Sequence, residues 1–263
     1  MDLGITGRIA VVTGGSEGIG LAAAHILAEE GANVVILART QSKLDAAVAE
    51  ISSTAVGEIE AISCDVSDQD SVTAAFDRIL DKWGKVDILV NNAGTGNANS
   101  FDDLTNELLS GDLQLKVFGA VYCSRAALPS MRENKWGRII NITTAAGKAA
   151  GGSTLPTSMS RAAGIALTKA MSKEYGVDNI LVNTVCIGLI KAGQHETRFK
   201  SLVAQNPSLT LDEHYANMGK NVPLGRIGES AEAANLITFL ASERASFITG
   251  VAINIDGGSS AVV

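Results

Sequence analysis

The sequence predicts an α/β fold, a doubly wound parallel sheet of about seven strands flanked by helices, in a single domain spanning residues 1–263. Short apolar runs alternate with segments of helical period from end to end, which implies right-handed crossovers and parallel pairing. Those runs are continuous in their apolar character, as strands buried on both faces are. The first of them empties into the turn Thr13-Gly14-Gly15-Ser16-Glu17-Gly18-Ile19-Gly20, and a helical pattern follows at once.

The first strand is expected over Arg8 to Thr13. Ile19, Ala22, Ala23, Ile26 and Leu27 then recur at helical spacing, and Gly31 ends that helix. A strand over Asn33 to Ala38, a helix from Ser42 to about Ile51 and a strand over Glu58 to Cys64 follow. Val72, Ala75, Phe76, Ile79 and Leu80 mark a helix from Asp68 to Trp83, leading into a strand from Val86 to Asn91. Next come one long helix from about Asn106 to Met131, a strand over Arg138 to Thr143, a helix from about Pro156 to Tyr175 and a strand over Asn179 to Cys186. The stretch from Lys191 to Val222 reads as an irregular insertion able to lie over a substrate. A helix from Ala231 to Leu240 and a strand from Val251 to Ile255 close the pattern.

With 263 residues, 46% of them hydrophobic, the chain can bury a large core. A net charge of -7 leaves no global basic field, which argues against nucleic acid and anionic membrane as partners. The N-terminus MDLGITGRIA lacks a basic segment leading into an apolar one, and no apolar run is long enough to span a bilayer, so a soluble cytoplasmic protein is expected. Cys64, Cys123 and Cys186 stand far apart in apolar surroundings. They read as buried reduced thiols, and no metal site is expected.

Chemistry begins at the glycine turn. Without side chains, Gly14, Gly15, Gly18 and Gly20 let backbone N–H groups approach a pyrophosphate at a helix N-terminus whose dipole favours negative charge. Glycines also make plain turns; the strand–turn–helix–strand setting is what favours a dinucleotide. An acid after the second strand accepts the adenosine ribose hydroxyls, whereas a base accommodates a 2'-phosphate. Here Ala38 is followed by Arg39, which favours NADP(H) over NAD(H); the alternative is that Arg39 is a solvated loop charge.

The Thr-Gly-x-x-x-Gly-x-Gly spacing, Asp65-Val66 past the third strand and Asn91-Asn92-Ala93-Gly94 at the end of the fourth resemble the short-chain dehydrogenase/reductase family. Pro223-Leu224-Gly225-Arg226, Phe239-Leu240-Ala241-Ser242, Ile248-Thr249-Gly250 and Asp256-Gly257-Gly258 extend the likeness over about residues 5 to 258. The resemblance implies a Rossmann-like fold and an oxidoreductase acting on a carbonyl/alcohol pair. It also implies a cofactor site made by Gly14, Ser16, Glu17, Gly18, Ile19, Gly20, Arg39, Asp65, Val66, Asn92, Ala93, Gly94, Arg161, Ile187 and Gly188. Glu17 tells against NADP(H), since relatives preferring it often carry a base there.

The chain departs from the family where carbonyl reduction is carried out. Thr144 falls at the serine position, Thr157 at the tyrosine position and Arg161, one helical turn on, at the lysine position; the downstream Ala166-Leu167-Thr168-Lys169 keeps that register without a gap. Gly119 and Pro129 place Lys116 where the family has Asn. Ile187-Gly188 replaces Pro-Gly, and Ala192 replaces a hydroxyl residue that helps hold the nicotinamide. A tyrosine, with a pKa of about 10 lowered by a neighbouring ammonium, can protonate an alkoxide. A threonine hydroxyl is too weak an acid for that, and an arginine stays charged, so Arg161 can bind a ribose or an oxyanion but relays no proton. Thr144 can still donate a hydrogen bond to a carbonyl oxygen.

Lys116 has two readings. Pointing into the pocket beside Arg161, it would have its pKa lowered by desolvation and like charge and could serve as a general acid; otherwise it extends to solvent. His195, His214 and Tyr215 are further candidate acids in the Lys191 to Val222 stretch. Lys116 and Arg161 together suit an anionic small-molecule substrate or an enolate. Three functions follow: an NADP(H)-dependent oxidoreductase with a relocated proton donor, a cofactor-binding but catalytically silent subunit, or a non-redox isomerase or lyase. Ala162, Ala163, Gly164, Ala166 and Ala170 on one helix fit a subunit contact, so a homodimer or homotetramer is expected.

Overall fold

The computed structural model describes residues 1–203, 206 and 208–263, with the backbone alone at 194–198. In order the elements are β1 (Ile9–Thr13), α1 (Gly18–Glu29), β2 (Asn33–Ala38), α2 (Gln41–Ser52), β3 (Ile59–Ser63), α3 (Gln69–Trp83), β4 (Ile88–Asn91), β5 (Ala98–Asn99), α4 (Asn106–Leu113) and α5 (Gly119–Glu133). They continue as β6 (Gly137–Thr144), β7 (Leu155–Pro156), α6 (Thr157–Tyr175), β8 (Ile180–Ile187), α7 (Gly193–Val203), α8 (Leu211–Gly219), α9 (Ser230–Leu240) and β9 (Ala252–Ile255). Seven strands form one parallel sheet in the order β3-β2-β1-β4-β6-β8-β9. The order reverses between β1 and β4, and in such a sheet the crevice outside the strand ends at that point receives the ligand.

Alternate residues of the same strand serve opposite faces. Val12, Val34, Ile36, Ile140 and Val185 pack beneath α1, α2 and α9 through Leu27, Leu44 and Ile237, all buried. Val11, Val35, Leu37, Leu89 and Ile139 pack against Phe76, Ile79, Met131 and Met171 of α3, α5 and α6. The three cysteines are buried free thiols, as expected from their surroundings. Among the described residues no helix is long and apolar enough to cross a membrane.

Two expected elements differ. The long helix is not continuous: α4 and α5 are joined by a π-helical turn over Gln114–Phe118. A wider turn of this kind is frequent at functional sites, and here it carries Lys116. Gly119, just after it, lies so close to β3's exit that a Cβ would meet the Val66 carbonyl oxygen at 3.0 Å. The stretch from Lys191 to Val222 is not irregular, since α7 and α8 occupy most of it. Thr210 and Glu213 form a reciprocal capping box at the start of α8, a signal legible in the Thr-x-x-Glu spacing.

At the far end of the sheet from the crevice, the Trp136 ring lies between two guanidinium groups, with Arg8 at 3.8 Å and Arg138 at 4.2 Å from its centroid. Glu243 accepts from Trp136 Nε1 at 2.7 Å and pairs with Arg8 at 3.3 Å and Arg138 at 3.5 Å. Arg138 is fully buried, and burial pushes its pKa down to about 10, with Glu243 opposing and Arg8 adding to the fall. Glu243→Ala strands that buried charge and is expected to cost about 1–3 kcal/mol, read as a lower urea midpoint at unchanged slope.

Candidate active site

The glycine turn is assembled from two strand ends. Gly14 and Gly18 have φ of +64° and +56°, the left-handed region that favours glycine. Thr13 Oγ1 accepts from the Asn92 and Ala93 N–H groups at 3.0 Å each and donates to the Val90 carbonyl at 3.3 Å. Asn92 Nδ2 donates to the carbonyls of Thr13 and Gly14 at 3.0 and 3.2 Å. Asn92 and Ala93 therefore act by clamping the turn from β4. A Cβ on Gly20 would stand 2.2 Å from the Gly14 oxygen and 2.5 Å from Asn92 Nδ2. Helix α1 begins here with no side-chain cap and no acid in its first turn, which leaves its N-terminus suited to an anion. Ser16 is half-buried in the turn and Ile19 buried beneath it.

At the adenosine end, Arg39 is exposed just past β2, and Ser63 Oγ donates to its carbonyl at 3.3 Å. Glu17, the N-cap of α1, meets Lys43 Nζ of α2 at 2.7 Å. Lys43 is a cation at this rim that sequence reasoning missed, because only the tertiary packing of α2 brings it to the turn. Burial raises the Asp65 carboxyl, but hydrogen bonds from Ser67 at 2.7 and 3.0 Å and the Arg39 charge outweigh it and hold the group below the usual carboxylate range. Val66 is buried beside Gly119. Gly188 N donates to the Ile255 carbonyl at 3.0 Å, and a Cβ there would meet Asp256 Cβ at 2.5 Å, so the exit of β8 passes Ile187 into a close backbone crossing.

Three of the remaining candidates, Thr157, Arg161 and Lys116, come together. Thr157 opens α6, Arg161 follows one turn later, and Lys116 reaches both from the π turn; Thr144 ends β6. Lys116 Nζ pairs with Asp112 of α4, their side chains 1% and 3% exposed. It also donates to Thr157 Oγ1 at 3.2 Å. The solvent-directed reading of Lys116 is thereby set aside. Asp112 accepts a second bond from Ser160 Oγ at 2.6 Å. Thr157 Oγ1 accepts from Asn97 N at 3.1 Å and donates to the Asn97 carbonyl at 2.7 Å, so its proton is committed to the loop after β4. Arg161 donates to the Ile142 carbonyl at 2.7 Å, and a Cβ on Gly94 would sit 3.0 Å from its Nη2 and 3.5 Å from Lys116 Cγ.

Burial draws the Lys116 pKa below the ordinary lysine range; the Arg161 charge acts in the same direction, and Asp112 opposes both. Burial also pushes Arg161 down to about 10, against Asp112 and Cys186, which leaves it charged at neutral pH. Thr144 Oγ1 and Arg161 Nε are buried without a hydrogen-bond partner among the described residues. Orphaned groups of this kind are costly unless a ligand answers them. With the glycine cradle, they make the crevice fit a dinucleotide.

Asp112, Ser160 and Asn97 were not among the expected site residues. Asp112 was legible as the i−4 partner of Lys116; Ser160 and Asn97 carried no signal. His214 is buried against Phe199 at 5.8 Å and Tyr215 at 6.0 Å between ring centroids, and Lys191 lies 5.2 Å from the Tyr215 ring. These contacts belong to the packing of α7 and α8. The His195 side chain lies outside the described residues.

Comparison with known proteins agrees with this geometry. The family model described as enoyl-(acyl carrier protein) reductase matches residues 13–260. A putative ketoacyl reductase of the monensin polyketide synthase from Streptomyces virginiae is 36% identical, over 96% of this chain and 97% of its own. L-sorbose reductase from Gluconobacter frateurii, solved with NADPH and L-sorbose, superposes with a TM-score of 0.95 at 32% identity, covering 100% of both chains. An NADPH-bound short-chain oxidoreductase from Pseudomonas aeruginosa PAO1, described as containing an atypical catalytic centre, gives 0.89 at 35% identity over 97% of this chain and 98% of that one. By fold, by cofactor turn and by these matches over nearly its whole length, the chain belongs to the short-chain dehydrogenase/reductase family.

Proposed function

We propose that this chain is an NADP(H)-dependent oxidoreductase of a carbonyl/alcohol pair in which Lys116 is the proton donor. The observation that carries the reading is the Lys116 ammonium, buried beside Arg161 and hydrogen-bonded to Thr157. NADPH, as bound by the sorbose reductase and the Pseudomonas enzyme, supplies a hydride to the carbonyl carbon. The chain does the rest. Gly14, Gly18 and Gly20 admit the pyrophosphate, and Arg39 meets the 2'-phosphate. Arg161, through its free Nε, holds the nicotinamide ribose, and Thr144 donates its unpaired hydroxyl to the carbonyl oxygen. As that oxygen gains charge, Lys116 gives it a proton and becomes a neutral amine, a form its buried position already favours.

The relatives' own substrates, a ketoacyl group and a sugar ketone by their names, support a carbonyl here, and the two cations support one carried on an anionic small molecule. Titration of NADPH and NADH by fluorescence, then a panel of carbonyl compounds, tests the reading. Tight NADPH binding with turnover supports it; binding without turnover of any carbonyl overturns it in favour of a catalytically silent subunit.

Cofactor choice is separable from catalysis. A charge-assisted hydrogen bond contributes about 1.5–3 kcal/mol, so Arg39→Ala is expected to weaken NADPH by about tenfold or more and leave NADH within about twofold. Glu17→Gln releases Lys43 toward the same phosphate and is expected to tighten NADPH severalfold. Ala162, Ala166 and Ala170 form an exposed stripe on α6, whereas Gly164 faces β6, where a Cβ would meet Thr143 at 3.3 Å. That stripe supports a homodimer or homotetramer through α6.

A further inference from the structure

We infer that Asp112, anchored by Ser160, is the positioning residue of this site: it holds the Lys116 ammonium between Thr157 and Arg161 and keeps it charged until the chemistry discharges it. The inference rests on the reading of Lys116 as proton donor beside the nicotinamide. The Asp112 side chain is only 3% exposed. Its two carboxylate oxygens are divided, Oδ1 to Lys116 and Oδ2 to Ser160 Oγ at 2.6 Å, and Ser160 Oγ also lies 3.0 Å from the Thr157 carbonyl. The carboxylate is therefore pinned to the first turn of α6, the same turn that presents Thr157 and leads into Arg161. The π turn completes the arrangement by bringing Lys116 over that helix.

Charge shows what this achieves. Among the described residues, the charged groups acting on Lys116 are Asp112 from α4 and Arg161 from α6; the loop after β4 offers Gly94 and Asn97, both neutral. Two cations and one carboxylate leave a net single positive charge. Without Asp112, two buried cations would face each other uncompensated, and Lys116, the group able to lose a proton, would lose it. A neutral amine has no proton to give to an alkoxide at the start of a reduction. Asp112 thus decides whether the donor is loaded.

The same charge count makes the role measurable without knowing the substrate. The oxidised nicotinamide ring is positive and the reduced ring neutral, so a charged Lys116 penalises NADP+ and not NADPH. The ratio of the NADP+ to the NADPH dissociation constant should be high at low pH and fall as pH rises through the Lys116 titration. Ionisations of the 2'-phosphate are common to both forms and cancel. In Asp112→Asn the fall should occur at least one pH unit lower, and in Ser160→Ala it should move in the same direction by less. In Lys116→Met the ratio should be flat.

The experiment is titration of NADP+ and NADPH against wild type and the three variants from pH 6 to 10. A step displaced to lower pH in Asp112→Asn supports the inference. Equal weakening of both nucleotides with the step unmoved overturns it and makes Asp112 a purely structural residue. Ser160→Ala decides the matter if Asp112→Asn does not fold, an unmoved step again counting against the role. A step that survives in Lys116→Met, or none in wild type, defeats instead the underlying assignment of Lys116 to the nicotinamide pocket.

Discussion

Lys116→Met is expected to lower turnover of a carbonyl substrate by at least about 100-fold, the lower end of what a positioned general acid contributes, with NADPH affinity changed only severalfold. No other described group in the pocket can replace it. Thr157 gives its proton to the Asn97 carbonyl, Arg161 stays charged at neutral pH, and a threonine hydroxyl at position 144 is a hydrogen-bond donor and not an acid. The substitution also leaves the Asp112 carboxylate, 3% exposed, without its cation, which is expected to cost about 3–5 kcal/mol of stability. The double variant Lys116→Met/Asp112→Asn removes that unpaired charge. It should recover much of the lost thermal midpoint while turnover stays low, which separates the chemical loss from the structural one. In wild type, reduction needs Lys116 protonated, so its rate should fall as pH rises through a pKa that burial and Arg161 place below the ordinary lysine range. Alcohol oxidation, which needs the neutral amine, should rise over the same interval.

Gly20→Ala is expected to abolish measurable nucleotide binding, a loss of about 100-fold or more in NADPH affinity, and to destabilise the protein by about 1–3 kcal/mol, the range for overpacking. The Cβ would stand 2.2 Å from the Gly14 oxygen and 2.5 Å from Asn92 Nδ2. Neither neighbour is a flexible chain end. The Gly14 carbonyl belongs to the phosphate turn, and Asn92 is fastened to Thr13 and Gly14 by both of its amide bonds. Making room therefore moves the turn itself and its N–H groups away from the phosphates. Gly111→Ala in α4, where nothing lies within 4 Å of the added carbon, is the matched control. It should leave binding intact and raise the thermal midpoint slightly, as glycine costs a helix interior about 1 kcal/mol relative to alanine. Fluorescence titration and thermal unfolding of the two variants side by side read both effects.

How much of this was legible in the sequence depended on range. The seven strands of the parallel sheet, most of the helices between them and the phosphate turn are specified by patterns within a few residues, such as continuous apolar runs, helical periods and glycines where a Cβ has no room. Their boundaries in the structure fall within a residue or two of those expected. The two-residue strands β5 and β7, and α7 and α8, carried no such pattern. The register from Thr144 through Arg161 was legible for the same reason, since one uninterrupted stretch of chain carries it. The capping box of α8 stood in the Thr-x-x-Glu spacing, but the stretch around it reads as irregular.

What the sequence by itself determined, then, is the fold, the family and the glycine turn. What the tertiary structure alone decided is how the remaining candidate residues are placed. The π turn carries Lys116 inward, and no local propensity marks a widened turn. Lys43 meets Glu17 only because α2 packs beside α1. Ser160 becomes Asp112's anchor across 48 residues of chain. A lysine's charge state depends on desolvation and on the charges within a few ångströms, and those neighbours come from separate segments that only the closed sheet brings together.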